Sequence, residues 1–195
     1  MSDTLQHFIQ RFQLQLPPPA HDTHQMRKAA VLIPIINGNT PSLLLTKRSA
    51  ALRKHPGQVA FPGGAMDDTD ILPETTALRE AYEEVGLNPE YVEIIGQLPA
   101  LDSVSGFQVT PIVGVLPAGL IFNKNHHEVE TLFEVPMDYA LNSENYHSIE
   151  IIRCGKPLRI YFLHYANNLI WGLTATILQR LSIQVKGFNI PLNNR

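Results

Sequence analysis

Residues 79–87 read REAYEEVGL, and they close a helical stretch that begins at Pro73. Proline is favoured in the first turn of a helix, and Gly86 suits the left-handed position just past a helix end. The sequence therefore predicts a helix over Pro73–Val85. At about 100° per residue, the carboxylates of Glu80, Glu83 and Glu84 share one arc of this helix. We expect the opposite face to be buried, and it carries Leu78, Ala81, Tyr82 and Val85.

The three glutamates are placed where local energetics disfavour them. Glu80, Glu83 and Glu84 lie in the last two turns, where the helix dipole is negative, and like charges at these spacings repel. A sequence that breaks several local rules at one place usually does so for function. Two interpretations stay open: a solvated helix face, or a site for a hard cation such as Mg²⁺ or Mn²⁺, which prefers oxygen ligands.

A loop rich in arginine and glycine precedes this helix. Arg48 and Arg53 carry planar guanidinium groups that can each bind two phosphate oxygens, although one of them could instead pair with a carboxylate. Gly63 and Gly64 allow the backbone to approach a ligand or metal closely, and a carbonyl there could complete a coordination shell. Taken alone, the loop is typical of a surface turn. Its position beside the acidic helix favours a pocket for an anionic ligand.

The rest of the chain predicts one domain with a lead-in. Helical spacing over Leu5–Phe12 ends at the stiff triple proline, Pro17–Pro19, so we divide the chain into a lead-in at 1–28 and a domain at 29–190. The class is α+β, with a mixed sheet between helices. Besides the acidic helix, the pattern predicts a helix near Trp171–Ser182 and strands at Ala29–Ile36, Ser42–Thr46, Gln58–Phe61, Tyr91–Ile95, Phe107–Val115, Ile149–Arg153 and Leu158–Tyr165.

Composition excludes several classes of protein. The chain has 195 residues with 15 basic and 18 acidic side chains, so its net charge of −3 argues against a nucleic-acid-coating protein. The longest apolar run, Ala29–Ile36, is far shorter than the roughly 20 residues of a membrane span. The first residues show no secretory pattern, and we expect a cytoplasmic protein without a membrane partner. A homodimer is left open. The single cysteine, Cys154, is interpreted as a small apolar filler.

Two motifs resemble those of the Nudix hydrolases. Residues 79–87 match the second half of the Nudix box, R-E-U-x-E-E-x-G-U, where U is a bulky aliphatic residue and Ala81 stands at the first U. The first half is one residue longer than the pattern between Gly64 and Arg79, so Asp70 is the candidate for its acid. Upstream, residues 44–64 follow L-L-T-x-R-[SA]-x3-R-x3-G-x3-F-P-G-G, the signature of the coenzyme A pyrophosphatase branch.

The resemblance implies a fold, a reaction and a set of residues. The fold would be an α/β/α sandwich, and the reaction would cut the pyrophosphate of coenzyme A and its derivatives with Mg²⁺ or Mn²⁺. The products would be adenosine 3′,5′-bisphosphate and 4′-phosphopantetheine. Glu80 and Glu84 would be the principal metal ligands, Glu83 a further ligand or the holder of a water, and Arg79 would orient a glutamate. The substrate-binding residues would be Arg48, Arg53, Gly57, Phe61, Gly63 and Gly64, with Arg48 and Arg53 as candidates for the 3′-phosphate.

Other assignments remain as alternatives. The chain could hydrolyse ADP-ribose or NADH, or it could be a catalytically silent nucleotide-binding module on the same fold. Glu128 and Glu130, on an expected loop, are candidates for the general base, and the alternative is that both are plain surface acids. Three aromatic residues are assigned to the core, and these are Tyr161, Phe162 and Trp171.

Overall fold

The computed structural model describes residues 2–14 and 26–186, so the triple proline and the last residues of the predicted domain lie outside the described part. The helices are α1 (Asp3–Leu14), α2 (Pro73–Val85), α3 (Met137–Leu141) and α4 (Gly172–Lys186). The strands are β1 (Arg27–Asn37), β2 (Ser42–Arg48), β3 (Val59–Ala60), β4 (Gly63–Ala65), β5 (Glu93–Gln97), β6 (Leu101–Asp102), β7 (Phe107–Pro117), β8 (Val129–Pro136), β9 (Tyr146–Arg153), β10 (Lys156–Tyr165) and β11 (Asn168–Trp171).

The strands form two sheets. The larger, eight-stranded sheet runs β3-β2-β1-β7-β5, with β4 on β1, β6 on β7 and β8 on β2. Its central pair, β1 and β7, is parallel, and its other pairs are antiparallel, so the sheet is mixed as predicted. The smaller sheet is the antiparallel meander β9-β10-β11. The first two strands, β1 and β2, form an antiparallel pair in which Ile35 pairs with Leu43.

Alternating side chains of β1 bury both faces of the larger sheet. Leu32 and Ile36 point to one face, where Ala77, Ala81 and Val85 of α2 pack against them. Their neighbours on β1 point to the other face, into a larger core shared with α1, α3 and α4. Residues at alternate strand positions face opposite sides, so an apolar strand can support a layer of helices on each side. The α/β/α sandwich is confirmed.

Helix α1 belongs to the main core. Its residues Leu5, Phe8 and Phe12 are buried there, and the ring of Phe12 lies against Gly96 of β5. The spacing of these three side chains along one helical face is the pattern that predicted the helix. The division of the chain at residue 28 stays a prediction, but the lead-in helix packs into the same core as the domain. Among the described residues, no helix is long and apolar enough to cross a membrane.

Helix α2 has the predicted ends and a different buried face. Pro73 opens it and Gly86 closes it at φ 69°, with the Gly86 N–H donating to the carbonyl of Tyr82. The prediction that Tyr82 is buried is wrong, because its side chain is largely exposed, whereas Glu84 is buried. The buried arc is rotated toward the glutamates because α2 packs through the small residues Ala77 and Ala81, which admit close contact with the sheet.

The smaller sheet contradicts two sequence interpretations. Cys154 is exposed in the β9–β10 turn at φ 50°, so it is not an apolar filler. Trp171 is 41% exposed at the end of β11, so its assignment to the core is wrong, while Tyr161 and Phe162 are half-buried. Five of the helices and strands named above had no predicted counterpart, and these are β4, β6, β8, α3 and β11.

Candidate active site

Asp70 and Arg79 form a buried ion pair at the start of the site. The Asp70 carboxylate accepts hydrogen bonds from Arg79 Nη2 at 2.8 Å, from Thr76 Oγ1 at 2.9 Å and from the backbone N–H of Asp67 at 3.0 Å. The hydrogen bond from Arg79, followed by that from Asp67, lowers the pKa of Asp70 to about 2. Asp70 is 8% exposed, and its ionised carboxylate anchors Arg79 to the loop before α2.

Arg79 connects this anchor to two of the predicted metal ligands. Its Nη1 donates to Glu80 Oε1 at 2.9 Å and to Glu83 Oε2 at 3.4 Å, and its Nη2 donates to the carbonyl of Ala65 at 3.1 Å. One guanidinium thus holds the Asp70 carboxylate and both glutamates at fixed positions. These contacts are compatible with the orienting role that the resemblance implies for Arg79, which stays a prediction.

The double glycine lies directly against the acidic helix. A Cβ on Gly64 would come within 2.3 Å of Glu80 Oε1, so only glycine leaves room for that carboxylate. Gly63 packs on β1, where a Cβ would lie 2.4 Å from the carbonyl of Ala30, and its backbone hydrogen bond favours the ionised form of Glu84. The predicted convergence of the glycine pair and the glutamates is therefore present.

Glu84 is the buried member of the acidic cluster, at 3% exposure. Burial raises the pKa of its carboxyl to about 8; the charge of Arg48 opposes this, and those of Glu80 and Glu128 reinforce it. Arg48 Nη1 lies 3.6 Å from Glu84 Oε1. Arg48 Nε is buried and has no hydrogen-bond partner within the described residues. Arg48 thus pairs with a carboxylate, the alternative left open above, and keeps an unused donor.

Burial also raises the pKa of Glu80, against a lowering by its hydrogen bond from Arg79. The charge of Glu128 adds to the upward shift at both Glu80 and Glu84, which places Glu128 beside the cluster. Glu128 lies in a turn whose position is set by main-chain hydrogen bonds from Asn125 to Glu84 and from Ser49 to Glu128. Glu130, by contrast, lies in strand β8 and pairs with Lys47 at 2.8 Å. The expectation that Glu130 lies on a loop is wrong.

The donor set fits a hard divalent cation. The charge of Glu80 raises the pKa of Glu84, and a cation between carboxylates relieves such repulsion. Within residues 2–14 and 26–186, no three His, Cys, Asp or Glu side chains already converge as a metal-ligand group, and Arg48 and Arg79 form ion pairs with Glu84 and Glu80. Glu83 is the most exposed of the three glutamates, which suits a peripheral position.

A cavity of about 1250 Å³ opens beside Arg48. Its walls are β9, β10, the exposed face of α4 and the segment Pro99–Ser105, and Trp171 and Tyr161 line it. Arginines contribute most of its charge, and these are Arg48, Arg153, Arg159 and Arg180. The sequence reasoning missed this cavity, because its lining comes from segments distant in the chain that have no shared motif.

Three residues of the upstream signature, Arg53, Gly57 and Phe61, are not among the residues that line the cavity. Arg53 is exposed in the loop and forms no ion pair within the described residues. Gly57 adopts φ 67° in the same loop, a conformation that glycine accepts readily. Phe61 is buried in the main core, so its side chain supports the strand that leads to the glycine pair and does not face the cavity.

A family model for the NUDIX domain matches residues 26–152 of this chain. The chain belongs to the Nudix hydrolase family. The match includes β1, the upstream signature, the double glycine and α2, and it ends within β9. Nudix hydrolases use divalent cations such as Mg²⁺ or Mn²⁺, in agreement with the oxygen ligands gathered on α2.

Relatives of this Nudix hydrolase extend over almost its whole length. The uncharacterized Nudix hydrolase NudL of Pectobacterium atrosepticum is 55% identical over 93% of this chain and 94% of its own. NudL of an Enterobacter species is 50% identical over 93% of this chain and 95% of its own. Among solved structures, a MutT/nudix family protein from Enterococcus faecalis has a TM-score of 0.50 at 14% identity. It covers 96% of this chain and 80% of that one, which supports the fold alone.

Proposed function

We propose that this Nudix hydrolase cuts the pyrophosphate bond of coenzyme A and its derivatives, giving adenosine 3′,5′-bisphosphate and 4′-phosphopantetheine. The observation that carries the proposal is the position of Arg48. It belongs to the upstream signature, it contacts the buried Glu84, and it lines the large cavity. A group that joins the metal-binding helix to a long, arginine-lined cavity suits a pyrophosphate substrate with extended arms on both sides.

Some residues of the site would bind the cation or the substrate, and others would position those residues. Glu80 and Glu84 would hold Mg²⁺ or Mn²⁺, with Glu83 as a further ligand. The cation, when bound, neutralises phosphoryl charge and lowers the pKa of coordinated water. Arg79, fixed by Asp70, holds Glu80 and Glu83 in place. The unused Nε–H of Arg48 is a donor for a phosphate oxygen, and Arg53, on the exposed loop, is a second candidate for a phosphate contact.

Glu128 is the general base in this proposal. Its turn is joined to Glu84 by the main-chain hydrogen bond from Asn125, and its charge raises the pKa of both Glu80 and Glu84, which supports this role. Glu130 is paired with Lys47 on the sheet and is left as a surface acid. A positioned base takes a proton from the attacking water and contributes roughly 10²–10⁴-fold.

Product identification tests the proposal directly. The purified protein is incubated with Mg²⁺ and, in parallel, with coenzyme A, ADP-ribose, NADH or a nucleoside triphosphate, and the products are identified by mass. We expect coenzyme A to be cut fastest, and Glu84→Gln to stay folded while losing turnover by orders of magnitude. Preferential cleavage of ADP-ribose or NADH would support the other hydrolase, and no cleavage of any compound would support the silent module.

A further inference from the structure

We infer that Arg153 and Arg180 form a second anion subsite, which takes the phosphate monoester on the ribose of the nucleotide half, away from the scissile pyrophosphate. This inference rests on the proposed function, which supplies a ligand with phosphates at two separate positions. Both arginines lie outside the upstream signature, and both line the large cavity. No sequence motif links Arg153 and Arg180, and what they share is that both line this cavity.

The two ends of the cavity are separated along α4. Thr174, in the first turn of α4, donates a hydrogen bond to the carbonyl of Val59 at 3.0 Å, which places this end of the helix beside β3. Strand β3 pairs with the end of β2 that carries Arg48. Arg180 lies about 9 Å farther along the helix than Thr174, at 1.5 Å rise per residue. The cavity therefore presents Arg48 near the acidic helix and Arg180 farther along α4.

Arg153 lies on another wall of the cavity, at the end of the β9–β10 hairpin. It is the last residue of β9, before the tight turn in which Cys154 and Gly155 both have positive φ. Its Nη2 donates to the carbonyl of Val104 at 3.4 Å, so the β9–β10 hairpin meets the Pro99–Ser105 segment at Arg153. The guanidinium uses one donor there and keeps the others for a ligand.

The charge of this subsite is not neutralised by the protein. Neither Arg153 nor Arg180 has an acidic partner in the described ranges, whereas Arg159 lies 3.9 Å from Glu150. The carboxylate on the cavity wall is Asp102, which accepts a hydrogen bond from Gln108 at 3.4 Å. Unpaired arginines in a cleft with apolar walls concentrate positive potential and attract anions. An uncharged pantetheine arm would gain nothing from these groups, whereas a phosphate dianion would.

The aromatic residues fit the same half of the substrate. Trp171 and Tyr161 line the same cavity as Arg48, Arg153 and Arg180, and Trp171 is 41% exposed. Stacking of a nucleobase on an exposed aromatic ring stabilises the bound nucleotide. An adenine against Trp171 would carry its ribose phosphate toward Arg153 and Arg180.

Equilibrium binding tests the inference without relying on turnover. Adenosine 3′,5′-bisphosphate and 5′-AMP are titrated into the wild type and into Arg180→Gln, Arg153→Gln and Arg180→Lys by calorimetry. We expect the bisphosphate to bind more tightly to the wild type, and each Gln variant to weaken it about tenfold while AMP affinity changes less than about twofold. Arg180→Lys keeps the charge and should lose less. Lys186→Gln, which removes one positive charge from the exposed end of α4, should leave both affinities unchanged.

Steady-state kinetics distinguish this inference from the proposed function. The same Gln variants should raise KM for coenzyme A about tenfold, leave kcat unchanged, and leave KM for dephospho-coenzyme A unchanged. Equal losses for ligands with and without the extra phosphate would overturn the subsite, as would a selective loss at Arg53→Gln alone. If the wild type binds the bisphosphate selectively but does not cut coenzyme A, the proposed function fails and the subsite stands.

Discussion

At the scale of single residues, the site depends on how each carboxylate is paired. Asp70 is buried with its pKa held low by Arg79, and Glu84 is buried with its pKa raised by desolvation. The pKa values of these two carboxyl groups, one in the loop and one in the helix, are thus shifted in opposite directions. The difference follows from the number of donors that reach each group, since Asp70 receives several hydrogen bonds and Glu84 faces Arg48 at 3.6 Å.

The low pKa of Asp70 predicts a pH-dependent stability. Because the folded pKa of about 2 lies below the unfolded value of 3.8, the stabilisation is present above about pH 4 and is lost as the pH falls toward 2. We expect Asp70→Asn to lower the free energy of unfolding by about 1–3 kcal/mol at pH 7, and the deficit to shrink at pH 2–3. Urea unfolding at several pH values measures it. Asp68→Asn, an exposed acid of the same loop, is the control, and a deficit independent of pH would contradict the assignment.

Glu128 and Glu130 provide a matched pair for the general base. Glu128→Gln should lower kcat by roughly 10²–10⁴-fold and change the pH profile, because the proton acceptor is lost while the site keeps its shape. Glu130→Gln should change kcat less than about twofold, since it removes only an exposed ion pair with Lys47. Initial rates with coenzyme A at several pH values measure both. Equal effects of the two substitutions would remove Glu128 as the base.

At the scale of elements, the site is made by α2 meeting the β3–β4 segment. The helix supplies carboxylates and the segment supplies Gly63 and Gly64, and neither alone forms a site. The small residues Ala77 and Ala81 let α2 pack close to the sheet. The buried arc of α2 is rotated toward the glutamates, so Glu84 is buried. The helix limits were predictable because Pro73 and Gly86 act locally. The buried arc was not, because it depends on which face of the sheet offers space.

Substitutions of Gly63 and Gly64 should have different effects on folding and activity. A Cβ at Gly63 would lie 2.4 Å from the backbone carbonyl of Ala30, so Gly63→Ala should lower the free energy of unfolding by about 1–3 kcal/mol. At Gly64 it would meet the side-chain carboxylate of Glu80, which can turn away from its hydrogen bond with Arg79, so Gly64→Ala should leave stability nearly unchanged and lower turnover roughly 10²-fold. Thermal melts and initial rates separate the two. A large loss of stability at Gly64→Ala would show that Glu80 cannot move.

At the scale of the whole molecule, the N-terminal helix and the C-terminal elements complete the core and the cavity. Helix α1 packs against α4 through the main core, and α4 in turn forms a wall of the large cavity. The family match ends at residue 152, before β10, β11 and α4. The cavity is therefore shaped jointly by segments inside the family match, such as Pro99–Ser105, and by β10 and α4 beyond it.

The packing of α1 predicts a global effect from a distant residue. Phe12 is buried against Gly96, so Phe12→Ala should lower the free energy of unfolding by about 3–5 kcal/mol through the cavity it leaves. Leu14→Ala, at the exposed end of the same helix, should change it by less than about 0.5 kcal/mol. Urea unfolding measures both. If Phe12→Ala were as mild as its control, α1 would not belong to the cooperative unit.

The sequence by itself determined the family, the mixed sheet between helices, the limits of α2 and the identity of the acids, because these depend on local spacing and on motifs within residues 44–87. Only the tertiary structure decided that Glu84 is buried, that Glu128 and not Glu130 lies beside the cluster, and that Trp171 is exposed on a cavity wall. Each of these depends on contacts between segments far apart in the chain. Burial and electrostatic environment come from such contacts, and no local pattern encodes them.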